Sequence, residues 1–310
     1  MAWNVFKYCT ALRGLGSFMV ILVLGIVGAT YYAVVIVNYG PAIQNGGFET
    51  AKALFVLFCF HFLLVMLLWS YFAVVLTDPG GVPPDWTPAI DEECGETVPL
   101  TRSYESTVPA LNSQSPLTVN GPSKSRFQSC RKCNQLRPPR SHHCSICGRC
   151  ILKMDHHCIW VINCVGARNY KFFLLFLFYT FLETTLATCA LLPQFISFFG
   201  KNGSSQISEI YAPTFLGFVL NVAFALSVLG FIIMHISLVA SNTTTIEACE
   251  RKTDSKVSYD LGRKKNFEQV FGKEKFYWFI PVYSYEDANI MHVVQGLEYP
   301  HKPCFNDQDI

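Results

Sequence analysis

Between Cys130 and Phe173 the chain reads CRKCNQLRPPRSHHCSICGRCILKMDHHCIWVINCVGARNYKFF, and no other stretch constrains the fold as strongly. It holds seven of the 13 cysteines, together with His142, His143, His156 and His157. The spacing is Cys130-x2-Cys133-x9-His143-Cys144-x2-Cys147-x2-Cys150-x4-Asp155-His156-His157-Cys158-x5-Cys164. Thiolates and imidazoles paired at two-residue gaps are the donors that tetrahedral zinc takes. Seven Cys and four His give eleven donors, whereas two closed zinc sites use eight. The three left over are informative. A cysteine beside a histidine and an acid is how a thiolate nucleophile is built. The plainer reading is a zinc-bound interaction module with surplus side chains.

The rest of the chain points to a bilayer. Only 15% of its residues are charged, against about 25% in soluble domains. Gly16–Val37 is apolar and uncharged. At about 1.5 Å per residue it crosses a hydrocarbon core of about 30 Å. It is too long for the apolar region of a signal peptide, and no small-residue cleavage site follows. Three more apolar runs come later, at Ala53–Leu76, 171–199 and 214–239. The second ends at Thr77-Asp78-Pro79-Gly80, where Pro and Gly break the helix. His61 within it has no ligand partner one turn away and is expected to pack against a neighbouring helix.

Lys and Arg set the orientation. Residues 1–15 carry two, 77–171 eleven and the tail from 240 nine, while the loops 38–52 and 200–213 carry one each, a split of 22 against 2. The positive-inside rule places both termini and the Cys/His stretch in the cytosol. The cysteine usage agrees: at metal-ligand spacing these thiols belong to a reducing compartment. The expected fold is an all-α polytopic membrane protein, with four transmembrane helices and a cytosolic two-zinc Cys-rich domain at 130–170, between spans 2 and 3. Residues 77–129 form a cytosolic segment, and 101–125, rich in Ser, Thr and Pro, are expected to be a flexible linker. Residues 240–310 form the cytosolic C-terminal domain. Asn202-Gly203-Ser204 is a lumenal glycosylation sequon.

Cys158 and Cys164 lie just before the third span, so the thiolate is held at the membrane surface. A substrate with a polar head in water and a long chain in lipid suits that depth, and acyl-CoA has that shape. Arg131, Lys132, Arg137, Arg140 and Lys171 surround the site. They are candidates for CoA phosphates and equally for lipid headgroups. Phe173, Phe176, Thr180 and Glu183 share one face of the third span. Phe173, Phe176 and Glu183 are acyl-cavity candidates. Ordinary helix packing is the alternative, and for Glu183 a hydrogen bond to Thr180 or Thr184. Trp160 packs over the thioester or anchors at the interface. Phe276-Tyr277-Trp278-Phe279 is expected to be an interfacial or packing cluster. Cys9, Cys94, Cys249 and Cys304 fall on the cytosolic side and are expected to be free thiols.

Residues 130–173, centred on Asp155-His156-His157-Cys158, resemble the DHHC family of integral-membrane protein S-acyltransferases. Asp78-Pro79-Gly80 resembles the family's DPG motif, Thr244-Thr245-Ile246-Glu247 its TTxE motif, and Asn266–Gly272 its C-terminal Asn-containing motif. Asn169 and Phe173 also fall at family positions. The wording is most like plant members. Many members have Pro after the reactive cysteine, where this chain has Ile159, and Pro would restrict the backbone there.

The resemblance implies one structural zinc on Cys130, Cys133, His143 and Cys150, and another on Cys144, Cys147, His157 and Cys164. It implies Cys158 as nucleophile, His156 as general base and Asp155 as its orienting acid. Thr245 would hydrogen-bond near Asp155, and Asn266 would hold the last part of the chain. The implied activity is transfer of a palmitoyl or other long-chain acyl group from acyl-CoA to cysteines of membrane-associated proteins, through a Cys158 acyl-enzyme. The implied partners are acyl-CoA, membrane lipid and proteins with juxtamembrane cysteines, with no nucleic acid. The Golgi is the expected membrane, with the plasma membrane and endosomes as the alternatives. Two other classes compete: a scaffold that would tolerate loss of Cys158, and a transporter, for which Glu183 alone is thin support.

Overall fold

The computed structural model describes residues 10–87, 128–200, 211–250, 259–293, 296, 297 and 299. The flexible linker expected at 101–125, the Asn202 sequon and Cys9, Cys94 and Cys304 lie outside the described residues.

Among the described residues, four helices are long and apolar enough to cross a membrane, over Phe18–Asn45, Gly47–Leu76, Tyr170–Phe199 and Ala212–Ala240. The first span is α1 (Thr10–Tyr31), continued by a π-helical stretch Tyr32–Tyr39 and two short turns to Asn45. The wider winding closes with the Gly40 N–H donating to the Val35 carbonyl. A Cβ at Gly40 would sit 2.6 Å from that oxygen, so a side chain there collides with backbone. The other spans are α2 (Gly47–Leu76), α3 (Tyr170–Gly200) and α4 (Tyr211–Ala240). Their outer faces carry bare aromatics and aliphatics such as Phe55, Phe58, Phe62 and Ile233. A helix that is apolar all round belongs in lipid.

Because lipid tails are as apolar as Leu, polar contacts help hold such helices together. Asn38 donates to Thr214 Oγ1 at 2.9 Å, Asn221 to Thr30 Oγ1 at 3.1 Å, and Tyr39 to the Ala190 carbonyl at 3.1 Å. His61 packs against the first span as expected, with Nε2 3.4 Å from the Tyr31 hydroxyl, while Nδ1 lies 2.7 Å from the Leu57 carbonyl of its own helix.

The Cys/His stretch is not helical. It folds as three antiparallel hairpins: β1 (Gln128–Cys130) with β2 (Gln135–Arg137), β3 (His142–Cys144) with β4 (Arg149–Ile151), and β5 (His156–Cys158) with β6 (Asn163–Val165). Three-residue strands have little core of their own, so ligands and neighbours must hold them. The Asp78-Pro79-Gly80 segment is one neighbour. Asp78 accepts from the Gly80 N–H at 2.7 Å and from Arg149 at 2.8 Å, and Gly80 takes φ +101°. The segment then runs beside β4, with Leu152 N–H donating to the Gly80 carbonyl at 2.9 Å and Val82 N–H to Cys150 at 3.2 Å.

After α4 come α5 (Thr245–Glu250), α6 (Arg263–Phe271), a 3-10 turn Lys275–Phe279 and α7 (Tyr285–Val293). Asn266 is buried and joins this region to the spans: its amide donates to the Ala240 carbonyl at 2.8 Å and to Asp260 at 2.7 Å. The carbonyl it caps is among those that a helix end leaves without a partner. In the aromatic cluster Trp278 donates to the Gly272 carbonyl at 2.9 Å, and Phe279 receives the Tyr179 hydroxyl at 2.6 Å.

Candidate active site and metal clusters

Strand period decides which donor goes where. Successive side chains of a strand point to opposite faces. His143 and Cys144 are neighbours on β3, so they serve different clusters. His143 joins Cys130, Cys133 and Cys150, and Cys144 joins Cys147, His157 and Cys164, each set with its donor atoms within 4.8 Å of one another. The registers support both: His143 lies opposite Cys150, and His157 opposite Cys164.

Tetrahedral zinc at about 2.3 Å from sulfur and about 2.0–2.1 Å from nitrogen sets donors about 3.5–3.8 Å apart. In the first cluster His143 Nδ1 lies 3.6 Å from Cys130, 3.1 Å from Cys133 and 4.0 Å from Cys150. In the second, His157 Nδ1 lies 3.6, 3.5 and 3.5 Å from Cys144, Cys147 and Cys164. Both sets fit a closed four-donor site. Neither keeps an open position, so a metal held there has a structural task.

The same alternation on β5 turns His157 to its cluster and places His156 and Cys158 together on the other face. His156 Nδ1 is 2.8 Å from Asp155 Oδ2, which leaves Nε2 for the thiol. Asp155 is almost fully buried. The Thr245 amide donates to its Oδ1 at 3.0 Å, the Thr245 hydroxyl lies 3.2 Å from Oδ2, and that hydroxyl also bonds the Asp155 backbone carbonyl.

The charges follow from these contacts. Burial alone would raise the Asp155 carboxyl, but the bonds with His156 and the Thr245 amide hold it below the usual carboxylate range. Burial pulls His156 down, yet Asp155 and Cys158 push it up to about 9. Burial pushes the Cys158 thiol up, and the hydrogen bond and charge of His156 bring it below its ordinary value. The three line up as thiol, imidazole and carboxyl, with each shift favouring the charged form, which is the arrangement a cysteine nucleophile needs.

Below it lies a cavity of about 480 Å³ between the spans. His156, Cys158, Ile159 and Trp160 form its mouth, and Phe173, Phe176, Thr180 and Glu183 line it from α3. Glu183 finds no partner on its own helix, because Thr180 and Thr184 donate to the Phe176 and Thr180 carbonyls at 2.7 and 2.8 Å. Trp160 is held by its backbone, whose carbonyl accepts from Tyr71 at 3.1 Å.

Two expected CoA-phosphate contacts are corrected. Lys171 is fully buried, and Nζ donates to the Val282 carbonyl at 2.6 Å while lying 4.3 Å from the centre of the Tyr283 ring. Arg140 is buried, pairs with Glu247, donates to Asn242 and sits 4.4 Å from the centre of the Tyr259 ring. Neither cation is open to a phosphate. Arg137 ends β2 and is half-buried.

Sequence reasoning passed over His235 and Tyr170. His235 is buried on α4, with Nδ1 3.1 Å from the Tyr170 hydroxyl and its ring centre 5.9 Å from that of His156. A lone His in an apolar span was a signal, but only the packing sets it beside the base.

The DHHC palmitoyltransferase family model matches residues 123–252. The chain is 63% identical over 308 residues to probable protein S-acyltransferase 14 of Arabidopsis thaliana, covering 99% of this chain and 98% of that protein. This chain belongs to the DHHC palmitoyltransferase family. It is 58% identical over 301 residues to probable protein S-acyltransferase 13 of the same plant, across 96% of this chain and 95% of that one. The human palmitoyltransferase ZDHHC20 is 35% identical over 287 residues, 91% of this chain and 77% of its own length. The chain is thus a multi-pass membrane protein S-acyltransferase, most similar to plant members.

Proposed function

We propose that the chain transfers a long-chain acyl group from acyl-CoA to cysteines of other proteins through an acyl-enzyme on Cys158. One observation carries this reading: the cavity whose mouth is formed by His156 and Cys158 runs down between apolar helices. The Cys158 thiolate attacks the thioester carbonyl. The carbon–sulfur bond to CoA breaks, a new thioester forms on Cys158, and CoA leaves with the proton of the His156 imidazolium. The cysteine of a second protein then gives its proton to His156 and attacks the Cys158 thioester, and Cys158 departs as the thiolate. Asp155 keeps the His156 ring and tautomer in place. Thr245 steadies Asp155, and Asn266 anchors the tail against the end of α4.

Two zinc ions on the paired clusters would stabilise the hairpins and take no part in the chemistry. Phe173 and Phe176 would line the bound chain, with Glu183 toward its far end. Burial of that chain contributes about 0.8 kcal/mol per CH2. Arg131, Lys132 and Arg137 remain the candidates for a CoA phosphate. The substrates would be proteins with cysteines near the membrane. The Lys and Arg distribution supports cytosolic termini and a cytosolic zinc domain, and the family resemblance favours the Golgi, which co-localisation with a Golgi marker tests.

The test of the chemistry is acyl-enzyme formation on purified protein in detergent with labelled palmitoyl-CoA. A hydroxylamine-sensitive label on the wild type, absent from Cys158→Ser, is expected. Equal labelling of both would refute the proposal.

A further inference from the structure

The cavity beneath Cys158 has two zones. Its walls are apolar, with Val27, Leu67, Phe176, Leu177, Phe224 and Val228 among them. Polar side chains also line it, and Thr30, Glu183 and Asn221 are the ones grouped far from the thiol, while Thr180, Thr184 and Ser227 lie along the same walls. The Phe173 ring centre is 5.1 Å from that of His156, and Glu183 follows about 15 Å further along the same helix at about 1.5 Å per residue. His235 packs on His156 from α4, and Asn221 is about 21 Å further along that helix. The polar groups therefore form the floor.

The floor is incomplete. Glu183 is 4% exposed, and its Oε2 has no hydrogen-bond partner. Asn221 does not supply one, because its amide donates to Thr30 Oγ1 at 3.1 Å and to the Gly217 carbonyl at 2.8 Å. Thr180 and Thr184 spend their hydroxyl protons on backbone carbonyls. A buried polar atom left unmade is costly, and an acid within a span points to a ligand or a function. A saturated chain reaching this depth would end in a methyl group. It would displace water and leave Glu183 without a partner. A hydroxyl both donates and accepts, so it satisfies the carboxyl in either protonation state. A second carboxylate or an ammonium would bring a further charge into the same apolar enclosure.

We infer that the unpartnered Glu183 carboxyl at the cavity floor is a hydroxyl-binding subsite, and that the enzyme accepts long-chain acyl groups hydroxylated at their distal end. The inference rests on the acyl-enzyme reading above and adds the chemistry of the chain terminus.

The experiment is a competition on the purified full chain in detergent, read as intact-protein mass. Equal amounts of palmitoyl-CoA and ω-hydroxypalmitoyl-CoA are offered, and the ratio of the two adducts on Cys158 is measured. The wild type is expected to take the ω-hydroxy chain at least as readily as the plain one, and to take it in preference to the 2-hydroxy isomer. That comparison needs no variant. Glu183→Leu is expected to shift the ratio about tenfold toward the plain chain, the worth of one buried hydrogen bond. Glu183→Gln keeps a partner for the hydroxyl and is expected to stay near the wild type. A wild type that rejects the ω-hydroxy chain as strongly as Glu183→Leu does overturns the inference. Absence of any adduct from palmitoyl-CoA would instead overturn the acyl-enzyme reading.

Discussion

Arg140 and Glu247 form a two-pronged ion pair, with Nε 2.6 Å from Oε1 and Nη2 2.8 Å from Oε2. The arginine side chain is fully enclosed. It also donates to Asn242 at 3.0 Å and 2.9 Å and adopts φ +63°, a left-handed conformation. One residue of the Cys-rich segment is thereby locked to the first turn beyond α4. Glu247 closes that turn by accepting from the Thr244 N–H at 2.9 Å.

Lysine cannot reproduce a planar, two-pronged contact. Arg140→Lys and Glu247→Gln are each expected to destabilise the protein by about 3 kcal/mol, because each leaves a buried group without its partner. Thermal unfolding in detergent measures this. An unchanged midpoint in both variants would remove the pair from the account of how the two regions are joined.

Thr245 acts on Asp155, so its substitution is expected to show in rate rather than in fold. Thr245→Val loses the hydroxyl contacts and keeps the backbone N–H bond at 3.0 Å. One net hydrogen bond of about 1.4 kcal/mol corresponds to a tenfold slower acyl-enzyme step. Thr245→Ser should retain most of the rate. Equal rates for Val and Ser would mean that the hydroxyl has no part in steadying Asp155.

Metal content distinguishes ligands from neighbours. The two clusters predict two zinc ions per chain. His157→Ala should lose one and also lose acylation, because β5 carries both a cluster donor and Cys158, the proposed nucleophile. His157→Cys offers a fourth thiolate and should keep both ions. Full acyl-enzyme formation on the metal-depleted protein would show that the hairpins hold Cys158 without zinc.

The buried Lys171 makes a separate prediction. Lys171→Met removes the contacts to Val282 and Tyr283, and the C-terminal region from 259 onward is expected to become more susceptible to limited proteolysis. The KM for palmitoyl-CoA should stay at the wild-type value. A several-fold rise in KM with unchanged proteolysis would restore Lys171 as a phosphate contact.

Tyr170→Phe removes the hydroxyl that holds His235 at 3.1 Å. The expected result is acyl-enzyme formation slowed several-fold at wild-type zinc content, since neither residue touches a cluster. No change in rate would make His235 a packing residue only.

Much of this was legible in the sequence. Four apolar runs and the side preference of Lys and Arg require only length, composition and charge. Two-residue gaps between thiols name zinc, and a surplus of three donors over two closed sites flagged reactive chemistry, while the family resemblance implied that the three are Cys158, His156 and His142. Strand alternation, once β3 and β5 form, sends His143 and Cys144 to different clusters and sets His156 beside Cys158. What the sequence left open depends on contacts across long separations. The surface charge expected of Arg140 and Lys171 rested on their neighbours in the chain, yet packing enclosed both and matched them to Glu247 and to the Val282 carbonyl. Glu183 could be placed on a face of its helix, but whether Thr180 and Thr184 would satisfy it depended on how their hydroxyls turned. They turned to the backbone, and the carboxyl was left to the cavity. Local patterns therefore determined the spans and the presence of zinc donors with a thiol to spare, because those follow from spacing along the chain. The cavity, its polar floor and the partners of each buried charge were decided only when four helices packed, since each is made by residues that the sequence does not place together.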